Sequence, residues 1–137
     1  MRSRRRNKAF TLVEILIVVV ILGILAAIVV PQFASATADA QAGNIKAQIK
    51  SVQNQIELYK ARNNQYPPLA TLFADLIAGG YIKAAPVNPA CPGTTAQRQS
   101  VAAAAGANVA WVYIVATGDF SAGYFDEANG VITPDVP

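Results

Sequence analysis

Sixteen consecutive apolar residues, Ile15 to Val30, follow a basic stretch at the start of the chain. Extended back to Phe10 the segment has 21 residues, about 31 Å of helix at ~1.5 Å per residue. A bilayer's hydrocarbon core is about 30 Å thick. Five of the eleven basic residues (Arg2, Arg4, Arg5, Arg6 and Lys8) stand before it, and positive charge ahead of an apolar run resists transfer and stays cytoplasmic. The pattern predicts a single membrane-spanning helix at residues 10–30, with residues 1–9 inside the cell and the rest of the chain outside it.

The same charge asymmetry excludes whole classes of function. From Ala9 onward six basic residues face eight acidic ones, so the formal charge of +3 belongs to the first residues alone. The folded part lacks the basic face that nucleic-acid binding needs. One cysteine, Cys91, and no histidine leave no Cys/His metal cluster and no nucleophile–histidine pair. No catalytic constellation is visible, and the chain is not expected to be an enzyme.

Glu14 is the residue that does not fit a plain anchor. A carboxylate at mid-helix in a bilayer costs roughly 2.5–3.5 kcal/mol, and less near the interface. The cost is offset if the acid meets a cation in the membrane. Cleavage between Ala9 and Phe10 would create one, the new α-amino group of Phe10. A neighbouring helix shifted along its axis could set its own Phe10 ammonium against this Glu14, relieving two buried charges together. Two simpler readings compete. One is a secretory signal peptide with a small-residue site at Ala34-Ser35-Ala36, though the apolar run is longer than an ordinary signal core. The other is an uncleaved anchor.

Lys8-Ala9-Phe10-Thr11-Leu12-Val13-Glu14-Ile15, with the apolar run to Pro31-Gln32-Phe33, resembles the N-terminal signal of type IV pilins and type II secretion pseudopilins. The resemblance implies cleavage between Ala9 and Phe10 by a prepilin peptidase, N-methylation of Phe10, and a requirement for Glu14 in assembly. It departs from the family at Ala9, where glycine is usual. It further implies a helical filament of this and related subunits. An inner-membrane platform protein and a cytoplasmic ATPase would assemble it.

Pro31, which removes a helix donor, and Gly23 are the expected kink points. Beyond them Ala38, Ala42, Ile45, Ile49, Val52, Ile56 and Tyr59 recur at spacings of three and four, the stripe of an amphipathic helix. Gln41, Lys46, Gln48, Lys50, Gln53 and Glu57 fall largely on its other faces. Asn63-Asn64 and Pro67-Pro68 stop the helix, and Tyr59 to Pro67 resembles the stretch closing the long helix of major pseudopilins. Leu69 to Ala78 reads as a short helix ended by Gly79-Gly80, and Pro86 to Pro89 as an extended connector. Thr94 to Ala107 reads as a loop or short helix. Val109–Ala116, Phe120–Phe125 and Val131–Thr133 read as antiparallel strands.

The expected fold is α+β: a basic leader (1–9), a transmembrane helix half (10–30), an amphipathic helix half (31–64) and a small head (65–137) whose antiparallel sheet packs on the helix. The expected function is a structural subunit of a type II secretion pseudopilus. A type IV pilus subunit is the alternative, and a secreted or anchored binding domain is the second. No cofactor is required. Asp126, Glu127 and Asn129 are the calcium candidates, because major pseudopilins bind calcium near their C-terminus, and an exposed turn is the ordinary reading of the same residues.

Overall fold

A computed structural model describes residues 10–133. They fall into two units, one up to Thr37 and one from Ala38 onward. The first helix, α1 (Leu12–Asn63, 52 residues), contributes to both. From Phe10 to Phe33 every side chain is exposed. Both Gly23 and Pro31 lie inside α1. Just past Pro31 the Ser35 hydroxyl donates to the Gln32 carbonyl (3.0 Å) and the Thr37 hydroxyl to that of Phe33 (2.8 Å).

In the second unit α1 lays down the floor of the core. Ala42, Ile45, Val52 and Ile56 are buried, with Ile49 and Tyr59 half-buried, and each fully buried aliphatic side chain contributes about 1.5–3 kcal/mol. Ala38, the first residue of the expected stripe, is exposed. The helix ends where Asn64 takes a left-handed φ of 57° and donates to the Lys60 carbonyl (2.7 Å), a left-handed cap that glycine or asparagine makes at least strain.

After Pro67-Pro68 a single 3-10 turn, Leu69–Thr71, leads into α2 (Leu72–Ala78). Leu72 and Leu76 turn inward. Gly80, at φ 73°, closes α2: its N–H meets Ile77 O (3.0 Å) and that of Tyr81 meets Leu76 O (2.8 Å), the paired bonds of a Schellman end. A one-turn helix, α3 (Thr95–Arg98), starts at a reciprocal cap between Thr94 and Gln97.

Five short strands complete the unit: β1 (Val101–Ala102), β2 (Trp111–Ile114), β3 (Asp119–Ala122), β4 (Phe125–Asp126) and β5 (Val131–Ile132). The sheet β1-β2-β3 is mixed, β1 running parallel to β2, and β4-β5 is a separate antiparallel pair. Trp111 and Tyr113 point inward from β2, with Trp111 stacked on Phe120 of β3 at 5.2 Å. The fold is α+β and pilin-like, as expected, and differs in detail.

The long strand expected at Phe120–Phe125 is two strands. Gly123 packs so closely on the Val109 carbonyl that a Cβ would overlap it, and Tyr124 follows at φ 58°, so the chain leaves one sheet for the other. Val109–Ala116 is trimmed at both ends. Asn108 turns at φ 62° before it, and Gly118 closes the β2–β3 turn onto Ile114 O (2.8 Å) after it. The 94–107 stretch holds both a helix and a strand, β1, too short to carry a period.

Candidate functional site

The start of α1 is an acid–hydroxyl pair. Thr11 precedes the first helical residue, and its hydroxyl accepts from the Glu14 N–H (3.2 Å). In return Glu14 Oε2 accepts from both the Thr11 N–H (2.8 Å) and the Thr11 hydroxyl (2.8 Å). This reciprocal capping box satisfies two of the orphan donors at a helix start, and the carboxylate also complements the positive end of the helix dipole. The spacing Thr11-Leu-Val-Glu14 is a sequence-level signature of this cap, so Thr11 was legible as the partner of Glu14. Both residues, like Phe10, are exposed. From Ile15 to Ala38 no charged residue follows, and α1 is long and apolar enough over this part to cross a membrane. Ala9, the other side of the expected cleavage point, lies outside the described residues.

The head is held by polar ties that the hydrophobic pattern does not reveal. Asn88, in the Pro86–Pro89 connector, is fully buried. Its amide donates to Ala110 O (2.8 Å) and Gly123 O (2.8 Å) and accepts from the Ala90 N–H (2.9 Å), sewing the connector to both strands at one end of the β2–β3 pair. Arg98 reaches back to Cys91 O (3.0 Å) and Pro89 O (3.1 Å). Cys91 is buried, and burial pushes its thiol up from the usual range, which disfavours reactive thiolate.

Gln53 of α1 behaves like a missing neighbour strand. Its Oε1 accepts from Phe120 N–H (2.8 Å) and its Nε2 donates to Gly118 O (2.9 Å), so it closes the free edge of β3 that would otherwise template pairing. Near the end of α1, Lys60 donates to the Tyr66 hydroxyl (2.9 Å), which donates to Glu57 (3.1 Å). That contact raises the Lys60 ammonium above its ordinary value.

Asp126 and Asn129 come together in the β4–β5 turn; Glu127 does not join them. Asp126 Oδ1 accepts from the Ala128 and Asn129 N–H groups (2.9 and 3.1 Å), and Oδ2 from the Asn129 side-chain amide (2.6 Å). These bonds hold its carboxyl below the usual range, the Asn129 side chain contributing most. Glu127 instead lines a groove of about 460 Å³ with Lys46, Ile49, Lys50 and Phe120. Among the described residues no three His, Cys, Asp or Glu side chains form a metal cage. Three of the roughly four acceptor positions of the Asp126 carboxylate are taken by amides of its own turn.

Residues 4–30 match the family model for the prokaryotic N-terminal methylation motif. The chain is 38% identical over 100 residues to the type II secretion system core protein G of Pseudomonas aeruginosa, covering 64% of this chain and 70% of that protein. It is 34% identical over 101 residues to the Vibrio cholerae protein of the same name (65% and 69%). With that of Escherichia coli K12 it shares 32% over 102 residues (65% and 70%). No solved structure matches it.

Proposed function

The chain belongs to the type II secretion system core protein G family, the major pseudopilins, and from that premise we infer how its N-terminal segment is used. As a pseudopilin it is a structural protein of the secretion machinery, not an enzyme. In the proposed sequence of events the basic leader stays cytoplasmic and α1 anchors the chain in the inner membrane with the head outside. A prepilin peptidase then cuts between Ala9 and Phe10 and methylates the Phe10 amine. An inner-membrane platform and an ATPase complex drive the subunit into a helical filament with other pilin-like subunits. Heterologous contacts that do not close generate such a fibre.

The observation that carries this reading is the capping box at Thr11 and Glu14. Alone in the bilayer, Glu14 has only hydroxyl and amide donors and the partial positive charge of its own helix start. The cap makes the acid tolerable near the interface without neutralising it. A trimmed neighbour brings a full positive charge on its Phe10 amine, and two opposite charges meeting in a low-dielectric setting favour one axial offset between helices. Glu14 thereby serves the subunit twice, as a cap before assembly and as a register mark within the filament. Gly23 and Pro31 supply two weak points at which the apolar half of α1 can adjust to its neighbours.

Mass spectrometry of the N-terminus of the full chain recovered from membranes tests the reading. A methylated Phe10 start is expected. A start at Thr37, left by ordinary signal peptidase, or at Met1, left by no cleavage at all, contradicts it.

A further inference from the structure

The acidic turn between β4 and β5 holds the calcium candidates Asp126, Glu127 and Asn129, and two of them are bonded to each other within the turn. Asp126 accepts three hydrogen bonds from the residues of its own turn. Gly130, at φ 70°, donates to the Asp126 carbonyl (2.7 Å), so the main chain closes as well. A calcium ion takes six to eight oxygen ligands at about 2.3–2.6 Å. With two amides on Oδ1 and one on Oδ2, Asp126 has about one acceptor position left to offer it, and bidentate ligation would displace amides now bound there.

A second observation comes from a different element. Lys46 of α1 extends its ammonium to the turn from below. It lies 6.0 Å from the centroid of the Phe125 ring, and a Cβ added at Gly130 would run into it. One positive charge therefore already stands beside the turn, delivered by the helix on which the head is built. The aromatic face of Phe125 attracts that charge, and the glycine leaves the room for it. Lys46, Lys50 and Glu127 line the adjoining groove together.

We propose that the 126–130 turn of this chain is metal-independent, with Lys46 and the turn's own amides holding it in place of a bound cation. The turn is then tied to α1 by a side chain that is always present, and the head's C-terminal hairpin is stable whatever the calcium level outside the membrane. The residues responsible are Asp126, Asn129 and Gly130 in the turn, Phe125 beside it, and Lys46 across from it.

The test uses the full chain in detergent, with thermal unfolding and amide hydrogen exchange read in millimolar calcium chloride and in excess chelator. The wild-type melting temperature and the protection of the Gly130 and Thr133 amides are expected to be the same in both. A rise in melting temperature with calcium overturns the proposal, whichever residues supply the ligands. Lys46→Met keeps the aliphatic stem and removes the charge. It is expected to speed exchange at Gly130 and Thr133 by about two- to fivefold, the range for a partly exposed cation–aromatic contact, equally with and without calcium. Lys46→Arg is expected to restore protection. Unchanged exchange in Lys46→Met contradicts the role assigned to the lysine.

Discussion

Replacing Asn88 by alanine removes a fully buried polar side chain from the head. The side chain is fully buried and makes three hydrogen bonds, two as donor and one as acceptor. Ala110 O keeps a second partner, the Gly123 N–H at 3.0 Å, so the groups stranded by the change are Gly123 O and the Ala90 N–H. Each buried group left without a partner costs about 1–3 kcal/mol, giving a loss of roughly 2–6 kcal/mol against a typical total of about 5–15. For a unit of this size each kcal/mol moves the melting temperature by about 4–8 °C, so Asn88→Ala lowers it by at least about 8 °C. Circular dichroism melts of the full chain in detergent measure the shift. Asn88→Asp is the sharper variant. It keeps the volume and the acceptor for Ala90, but aims a carboxylate oxygen at two carbonyl oxygens, so it is destabilised at least as much as alanine. A melting temperature for Asn88→Asp close to wild type would refute the donor role on which the reasoning rests.

Gln53→Ala uncovers the β3 edge by removing both bonds to it. A loss of about 1–2 kcal/mol is expected, with faster aggregation in thermal scans; Gln53→Glu keeps the acceptor for Phe120 but loses the donor to Gly118, and falls between the two. Tyr113 donates to Pro67 O (3.0 Å), and burial first, then nearby Tyr66, Glu57 and Tyr59, push its phenol up to about 12. A raised folded value means that its contribution to stability is complete below the ordinary tyrosine range and is lost as pH climbs from there towards about 12. Absorbance titration is therefore expected to show one late tyrosine, and Tyr113→Phe to remove that late step.

The long helix was legible because two independent periods mark it, an unbroken apolar run and then a three–four stripe, and because Asn64 and the prolines end it where a left-handed cap forms. The short helix expected at Leu69–Ala78 was legible in its apolar spacing and its glycine end, but its first three residues are a 3-10 turn and α2 starts only at Leu72. The strands were only partly so. A period of two cannot be seen in the two residues of β1, and the break at Gly123 depends on a carbonyl from Val109 that only the folded chain brings near. Asn88 carries no pattern at all: a polar residue between prolines reads as exposed connector until two distant backbone carbonyls converge on it. Gln53 and Lys46 read as solvated faces of an amphipathic helix, whereas one closes a sheet edge and the other stands under a turn. Glu14 was legible as an anomaly in the apolar run. Its partner Thr11 was equally so from the capping spacing, but a reading that attends only to the charge passes over it.

Glu14→Gln separates the two roles of that acid. Glutamine at this helix position still completes a capping box with Thr11, but it brings no negative charge to a neighbour's amine. Quantifying the share of this variant recovered in sheared filaments, relative to wild type and with membrane-inserted, trimmed subunit as the denominator, measures the charge alone. The account predicts normal insertion and trimming with filament incorporation lost. Incorporation of the glutamine variant at the wild-type level would contradict it, and would leave Glu14 as nothing more than a helix cap.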